Sequence, residues 1–140
     1  MAYWLFKSEP EVFSWDDMAA KGQPEQWHGI RNYAARNNMR AMQLGDAGFF
    51  YHSVTGKAVM GIITVCALAH PDSTAELKDG KVVWECVDVE ARKGLPRPVG
   101  IAAIKAEPRL EKMVLINNSR LSVQPVTPEE WALVCEMGGL

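Results

Sequence analysis

The sequence predicts an α+β fold, a small mixed or antiparallel β-barrel with short flanking helices. Three observations support this class: a strand-like segment near each end of the chain, three strand-like segments in succession between residues 46 and 91, and short helical segments around them. A doubly wound parallel sheet would instead need strands and helices to alternate along the chain. Because the middle strands follow one another directly, the pattern favours a barrel-like sheet.

The N-terminal third is predicted to contain one strand and two helices. Residues 2–6, "AYWLF", are apolar or aromatic throughout, as in a strand buried on both faces, and "KSEP" ends it. Ser14 is a typical N-cap, acidic residues follow in the first turn, and Gly22 ends this short helix. A second helix is predicted from about Tyr33 to Leu44, since good helix formers fill this segment and a glycine follows.

The middle of the chain has the pattern of a β-hairpin followed by a further strand. Residues 46–54 and 58–70 are rich in β-branched and aromatic residues, and "TGK" between them is typical of a turn. Residues 71–81 are predicted to form a connecting loop. Residues 81–91, "KVVWECVDVEA", then alternate between two residue sets, which indicates a strand with two different faces.

The C-terminal third is predicted to begin with a short helix at residues 101–108 and to end with a strand and a helix. "RLSVQPV", residues 120–126, alternates in the manner of a closing strand. The last helix has a clear start at Thr127. Glu130 completes a capping box with this threonine, and Pro128 occupies the first helical position.

The composition is that of one globular domain covering residues 1–140. With 48% apolar and 23% charged residues and no repeat or low-complexity segment, the chain is neither a disordered nor a repeat protein. The longest apolar run is interrupted by Gly61 and Thr64 and is well short of the ~20 residues that a membrane helix needs. Because the N-terminus lacks the pattern of a secretion signal, a cytoplasmic location is expected.

The spacing of cysteines and histidines supports neither a disulfide framework nor a metal site. The three cysteines include no C-x-x-C pair, and the three histidines lack the spacing of helical or knuckle metal sites. The cysteines are therefore interpreted as buried structural thiols. Gly29 has no companion glycines at the spacing of a phosphate-binding loop. We expect no metal and no cofactor.

The net charge is −2, from 15 basic and 17 acidic residues. Such a chain has no overall attraction for nucleic acid, so binding to it would require a local basic patch. The candidates for phosphate contact are Arg31, Arg36 and Arg40. Residues that would reinforce this patch, if the fold brings them near, are Lys7, Lys105 and Arg120. Alternatively, the three arginines form only a solvated helix face.

A binding site is expected where several polar segment ends meet. Lys7 and Ser8 leave the first strand, "WHGIRNY" enters a helix, and "YHS" ends a strand. Trp27 and Tyr33 offer flat rings on which a nucleobase can stack, and Asn32 offers a bidentate amide for a base edge. The alternative is that Trp27 belongs to the core and that Asn32 caps the helix.

No catalytic constellation emerges from the sequence. His52 and Ser53 are neighbours on a strand, so their side chains point to opposite sides and do not pair as base and nucleophile. The paired acidic residues near the N-terminus lie in turn or helix-start positions, where carboxylates are expected for structural reasons. A base-cleaving or base-deaminating enzyme is disfavoured, because the zinc signature of nucleobase deaminases is also absent.

Four segments together resemble the EVE domain family: "YWLFKSEP", "WHGIRNYAARNNMRAMQLGDAGFFYHS", "WECVDV" and "RLSVQPVTPEEW". This resemblance spans nearly the whole chain and implies a PUA-like fold, a small β-barrel with flanking helices that is related to YTH readers of methylated adenine. It also implies a function. EVE domains are understood as non-enzymatic binders of modified bases in DNA or RNA, cytosine derivatives such as 5-methyl- or 5-hydroxymethylcytosine especially.

The resemblance implies a pocket whose residues come from three motifs and from the closing strand. The implied ligand-binding residues are Lys7, Ser8, Trp27, Gly29, Arg31, Asn32, Tyr33, Tyr51, His52, Ser53, Gln124 and Pro125. The expected partner is a nucleic acid that carries a modified base, with no membrane and no metal involved. A rival interpretation keeps the same aromatic residues but makes them a cage for a small molecule or a methylated peptide. The sequence does not specify an oligomeric state.

Overall fold

Six strands and five helices make up the computed structural model, which describes residues 1–140 and confirms the predicted α+β class. The strands are β1 (Tyr3–Ser8), β2 (Glu25–Gln26), β3 (Ala47–His52), β4 (Ala58–Pro71), β5 (Glu85–Gly100) and β6 (Val123–Val126). The helices are α1 (Trp15–Ala20), α2 (Tyr33–Ala41), α3 (Ile101–Ala106), α4 (Val114–Asn117) and α5 (Pro128–Met137). A 3-10 turn at Pro108–Leu110 precedes α4.

All six strands belong to one mixed sheet with the order β2-β5-β4-β3-β1-β6. β1 runs parallel to β3, and the other neighbouring pairs are antiparallel. The outer strands β2 and β6 do not pair, so the sheet does not close into the expected barrel. The sheet nevertheless curves strongly. This curvature brings the ring of Phe6 on β1 to 5.3 Å from the ring of Trp27, although Trp27 directly follows β2 at the far edge.

The sheet is covered by helices on both faces, and the alternation of side chains along the strands divides the core in two. On β1, Trp4 and Phe6 point to one cluster while Leu5 between them points to the other. Helices α1 and α2 cover the first cluster, and α3, α4 and α5 cover the second. The predicted burial of β1 on both faces is confirmed. Successive side chains of a strand point to opposite faces of the sheet, and each face of β1 is covered by a layer of helices.

The predicted helix starts are confirmed. Ser14 and Asp17 form a capping box at α1, and Thr127 and Glu130 form another at α5. Helix α2 is shorter than predicted and ends at Ala41, because Met42 adopts an extended conformation that buries its side chain in the core. Burial of this residue outweighs the good helix propensity of the residues that follow it.

Strand β5 departs most from its predicted bounds of 81–91. It begins later, at Glu85, and continues through Pro96 and Pro98 to Gly100. Prolines are tolerated here because β2 pairs only with Val89 and Asp88, which leaves the remainder of β5 as an edge on that side. The two-residue strand β2 was not predicted, since two residues are too short to show a periodic pattern.

The three cysteines are free, with Cys86 buried and the other two half-buried. Burial raises the pKa of all three thiols, that of Cys86 to about 12. No group of three or more His, Cys, Asp or Glu side chains is arranged to hold a metal ion. None of the helices is both long and apolar enough to cross a membrane.

We expect a Gly61→Ala substitution to destabilise the protein by about 1 to 3 kcal/mol, the usual cost of overpacking a core. An added methyl group at this position on β4 would overlap the indole ring of Trp15. Gly100→Ala is the matched control, because its nearest neighbour would be the Lys57 carbonyl oxygen at 3.9 Å. Urea unfolding of both variants measures the difference, and equal stabilities would contradict the tight packing of Trp15 on Gly61.

Candidate functional site

The polar ends of β1 and β3 meet, as predicted. The parallel register places Lys7 beside Tyr51 and Ser8 beside His52. The pairing continues one residue further, where the Ser53 backbone N–H donates to the Ser8 carbonyl at 2.9 Å. The end of β1 also lies beside the segment that follows β2, because Lys7 and Ser8 line one cavity together with Trp27, His28 and Ile30.

A cavity of about 520 Å³, here called the tryptophan cavity, lies between the end of β1 and the segment from β2 to Ile30. It is lined by Lys7, Ser8, Glu9, Val12, Phe13, Glu25, Gln26, Trp27, His28 and Ile30. Its size falls within the ~300 to 1,000 Å³ that is usual for small-ligand sites. The curvature of the sheet creates this space, because the lining comes from strands near its two opposite edges.

Trp27 forms part of the wall and is held rigidly. Its ring is met nearly at right angles by the rings of Phe6, Phe13 and Phe50, with centroid distances of 5.3, 6.4 and 5.6 Å. Only 6% of the residue remains exposed. Trp27 is therefore both a core residue and a cavity residue, which combines the two interpretations that the sequence left open.

The polar groups of the cavity are largely committed to neighbours. The Ser8 hydroxyl donates to the Phe13 carbonyl at 2.5 Å, so its oxygen remains free to accept. The Gln26 Oε1 atom accepts from the backbone N–H and the hydroxyl of Ser73, which leaves the Gln26 amide nitrogen as a donor. Glu25 is paired with Lys21 at 3.2 Å. The side chains of Ser8, Gln26 and Glu25 are therefore held in fixed positions in the cavity wall.

Asp72 fastens the segment after Trp27 to the β4–β5 loop. Its buried carboxylate accepts from the Gly29 backbone N–H at 2.8 Å and from Arg31 at 3.1 Å. It also accepts from the backbone N–H and the hydroxyl of Thr74 at 2.7 and 2.6 Å. Burial alone would raise the pKa of Asp72, but the hydrogen bonds from Thr74, Gly29 and Arg31 outweigh it and lower the pKa to about 2. Neither Asp72 nor Thr74 was predicted from the sequence.

The start of α2 uses two predicted ligand residues in the fold. Asn32 is the N-cap, and its side-chain oxygen accepts from the Ala35 backbone N–H at 2.9 Å. Tyr33 stacks on Trp84 at 4.8 Å, and the guanidinium of Arg36 covers the tyrosine ring at 4.9 Å. Tyr33 does not line the tryptophan cavity, so the structure does not bring Trp27 and Tyr33 together as two walls of one cage.

Each of the three predicted phosphate-contacting arginines has a partner within the protein. Arg31 binds Asp72, and Arg36 donates to the Val83 carbonyl at 2.9 Å. Arg40 forms an ion pair with Glu85. A phosphate would have to compete with these partners. The alternative interpretation, in which the arginines form only a solvated helix face, also leaves out these contacts.

A second cavity of about 280 Å³, here called the lysine cavity, collects other predicted residues. It is lined by Lys7, Tyr51, Ser53, Val54, Lys57, Ile101, Lys105, Leu115, Ile116 and Ser119. Lys7 is common to the linings of both cavities. The fold thus unites Lys7 with Lys105, but it leaves Arg120 outside both cavities.

Three further predicted residues line neither cavity: His52, Gln124 and Pro125. The His52 Nε2 atom accepts from the Trp15 backbone N–H at 2.9 Å, and Ser53 faces the lysine cavity, so the two side chains do not pair. Gln124 is fully buried and donates to the Leu121 carbonyl at 2.7 Å, and its Oε1 atom has no partner. Pro125 is exposed on β6.

The sequence reasoning missed several residues of the tryptophan cavity. Phe13, Ile30 and Gln26 were not predicted to line it. Phe13 had a usable signal, because an aromatic residue within a polar turn needs a partner for its ring. Gln26 had none, since its position depends on the short pairing of β2 with β5.

Two histidines are expected to titrate in opposite directions from the ordinary pKa of 6.5. Burial lowers the pKa of His52, whose Nε2 atom must stay unprotonated to accept from Trp15. The hydrogen bond to Asp88 at 2.7 Å raises the pKa of His70. The stabilising effect of His52 is therefore present above pH 6.5 and lost below it, whereas that of His70 is lost as the pH rises through its raised pKa.

A proton NMR titration tests this order, with His52→Gln and His70→Gln variants to assign the signals. We expect the His52 signal to reach its midpoint at a lower pH than the His70 signal. The reverse order would mean that His52 is more open to solvent than its contact with the Trp15 backbone indicates.

Comparison with known proteins identifies relatives that are similar in sequence and in fold. Human thymocyte nuclear protein 1 is 35% identical over 167 residues, covering 97% of this chain and 73% of the human protein. A crystal structure from Agrobacterium tumefaciens is 57% identical, with a TM-score of 0.95, covering 100% of this chain and 94% of that one. The crystal structure of human THYN1 in complex with DNA containing 5-methylcytosine is 33% identical, with a TM-score of 0.92, covering 100% and 99% of the two chains.

The match to a family model agrees with these relatives and with the resemblance in the sequence motifs. The model of the EVE domain aligns with residues 2–137, which include every strand and helix of the fold. The open, curved sheet and its helices are those of the EVE and PUA-like fold, since the likeness to human THYN1 extends over the whole chain. The protein belongs to the EVE domain family.

Proposed function

We propose that this protein is a non-enzymatic reader of modified cytosine in DNA, which receives the modified base in the tryptophan cavity. The observation that carries this proposal is a preformed cavity that is walled by Trp27 and lies between the end of β1 and the segment from β2 to Ile30. The relative solved with 5-methylcytosine DNA has the same fold over the full chain. A base held in a duplex does not reach such a cavity, so the base is flipped out of its strand.

The energetics require more than a single contact. Flipping costs a few kcal/mol, and stacking on an aromatic ring returns about 1 to 3 kcal/mol per base. A buried methyl group adds only about 0.8 kcal/mol, roughly a fourfold preference. Stronger selectivity needs a shaped apolar notch, and the cavity offers apolar walls from Val12, Phe13 and Ile30 for this purpose.

The edge of the base would be recognised by the polar groups that the fold leaves available. These are the Ser8 oxygen as an acceptor and the Gln26 amide nitrogen as a donor. A base that fails to pair with such fixed groups leaves them unsatisfied, which is the main source of discrimination in a buried site.

Fluorescence polarisation with matched oligonucleotides tests the proposal. The set contains cytosine, 5-methylcytosine, 5-hydroxymethylcytosine or N6-methyladenine at one position, each in DNA and in RNA. We expect the tightest binding to DNA that carries a modified cytosine. Equal affinity for all four bases would reject the reader function, and a preference that appears only in RNA would reassign the natural partner.

The same oligonucleotides test the proposal that no chemistry follows binding. The separation of His52 from Ser53 supports this proposal, since His52 contacts the Trp15 backbone while Ser53 faces the other cavity. We expect the modified oligonucleotide to keep its mass after a long incubation with the protein. Release or conversion of the base, detected by mass spectrometry, would make the protein an enzyme.

Binding of unmodified DNA is expected to depend weakly on salt. The chain has a net charge of −2, and its three candidate arginines already contact protein groups. About two to four phosphate contacts correspond to a slope of about −2 to −4 for the logarithm of the affinity against the logarithm of the salt concentration. A much steeper slope, measured between low and physiological salt, would reveal a larger basic surface.

A further inference from the structure

The lysine cavity concentrates positive charge in a protein that is acidic overall. Three of its ten lining residues are Lys7, Lys57 and Lys105, and none of the ten is Asp or Glu. Its other polar lining groups are the hydroxyls of Tyr51, Ser53 and Ser119. A small cavity with several cationic and hydroxyl donors and no carboxylate is suited to an anion.

The three lysines are brought together by separate elements that are joined by hydrogen bonds. Lys7 ends β1, and its Nζ atom donates to the Ser119 carbonyl at 2.5 Å across the cavity wall. The Lys57 carbonyl accepts from the Ile101 backbone N–H at 3.0 Å, which ties the β3–β4 turn to the start of α3. Lys105 lies one turn further along α3, on the side that lines the cavity with Ile101.

The positive groups in this cavity repel one another. Burial lowers the pKa of Lys7, and the charge of Lys57 lowers it further. An anion placed between these ammonium groups would relieve the repulsion, which is a gain that an isolated surface lysine does not offer.

The turn that carries two of the donors has an unusual backbone. Val54 has a φ of +68°, a left-handed conformation that β-branched residues rarely adopt, and the residue is 63% exposed. The strained conformation lies between Ser53 and Lys57, both of which line the cavity. Strain of this kind persists where the surrounding structure enforces it, and it is concentrated at ligand sites.

We propose that the lysine cavity is a phosphate-binding site, separate from the tryptophan cavity and joined to it through Lys7. The ammonium groups of Lys57 and Lys105 supply the charge, and the hydroxyls of Ser53 and Tyr51 supply further hydrogen bonds. Phosphate suits this set of donors because lysine binds it as a point charge without the fixed geometry of arginine.

The phosphate has two possible sources. One is the backbone of a strand whose base occupies the tryptophan cavity, because the two cavities share Lys7 in their linings and are therefore adjacent. This source rests on the proposed reader function. The other is a free phosphate or a small phosphorylated molecule, which does not depend on that function.

The test compares two double variants that remove the same charge. Lys57→Gln/Lys105→Gln alters the lysine cavity, and Lys93→Gln/Lys112→Gln alters two exposed lysines outside both cavities. Inorganic phosphate is titrated into each protein at constant ionic strength and followed by amide NMR. In parallel, each protein is titrated with 5-methylcytosine DNA and with cytosine DNA at several salt concentrations.

In the parent and in the Lys93/Lys112 variant, we expect phosphate to shift the amide signals of the 53–57 turn and of α3 in a saturable way. In the Lys57/Lys105 variant, we expect no such shifts. If the source is the DNA backbone, the Lys57/Lys105 variant also binds DNA more weakly. The slope of its affinity against salt concentration becomes less steep by about 0.9 for each lost contact, and its preference for the modified base is unchanged. Unchanged DNA binding assigns the site to a free phosphorylated ligand.

Absence of saturable shifts in the parent, or equal shifts in both double variants, overturns the phosphate site. This result is distinguishable from failure of the reader proposal, because the phosphate titration involves no base. A parent protein that binds phosphate but shows no preference among the oligonucleotides would reject the reader function alone.

Discussion

A Trp27→Ala variant is expected to lose its preference for modified-cytosine DNA and to bind this DNA about 5- to 150-fold more weakly. These limits correspond to the ~1 to 3 kcal/mol that stacking contributes per base. The variant is also expected to lose about 3 to 5 kcal/mol of folding stability, because Trp27 is buried among three phenylalanine rings. Fluorescence polarisation and urea unfolding measure the two effects.

Two controls separate binding from stability. Trp4→Ala removes an equally buried indole ring that lines neither cavity, so it should destabilise the protein but preserve base preference in the folded fraction. Trp27→Phe keeps an aromatic wall and should retain part of the affinity. If Trp27→Ala binds modified DNA as tightly as the parent, Trp27 does not stack on the base, and Phe13 becomes the candidate.

An Asp72→Ala variant is expected to lose about 3 kcal/mol of stability. It is also expected to bind more weakly at the tryptophan cavity, although Asp72 does not line this cavity. The substitution removes the acceptor of Gly29, Thr74 and Arg31, and breaking a buried charge pair is costly. The half-exposed Arg31 can be rehydrated, which keeps the loss near the lower end of the usual range. Binding weakens because the segment from Trp27 to Ile30, one wall of the cavity, is no longer fastened.

The pH dependence of stability gives a readout that is specific to this carboxylate. The pKa of Asp72 is lowered from 3.8 to about 2, so its contribution is present above about pH 4 and is lost as the pH falls toward 2. An Asp72→Asn variant should lack this part of the acid-induced loss. Glu76→Ala, an exposed acidic residue in the same loop, is the control, and an equal effect of both variants would contradict the fastening role of Asp72.

The candidate site could be predicted in part because several of its residues stand at recognisable segment ends. Lys7 and Ser8 follow an apolar strand, and Trp27 precedes a helix start, so their meeting around one cavity was expected and is observed. The roles of Asn32 and Tyr33 were left open by the sequence. An N-cap asparagine and a base-reading asparagine have the same local pattern, and only the hydrogen bond to Ala35 reveals the cap.

The sequence by itself determined the α+β class, the family, the capped starts of α1 and α5, and the buried character of β1. These features depend on propensities and motifs that are contained within a few neighbouring residues. Only the tertiary structure decided that the sheet curves without closing, that Asp72 fastens Arg31, and that Lys7, Lys57 and Lys105 surround one cavity. The physical reason is that these contacts join residues far apart in the chain, and their proximity follows from strand order and sheet curvature, which no local pattern encodes.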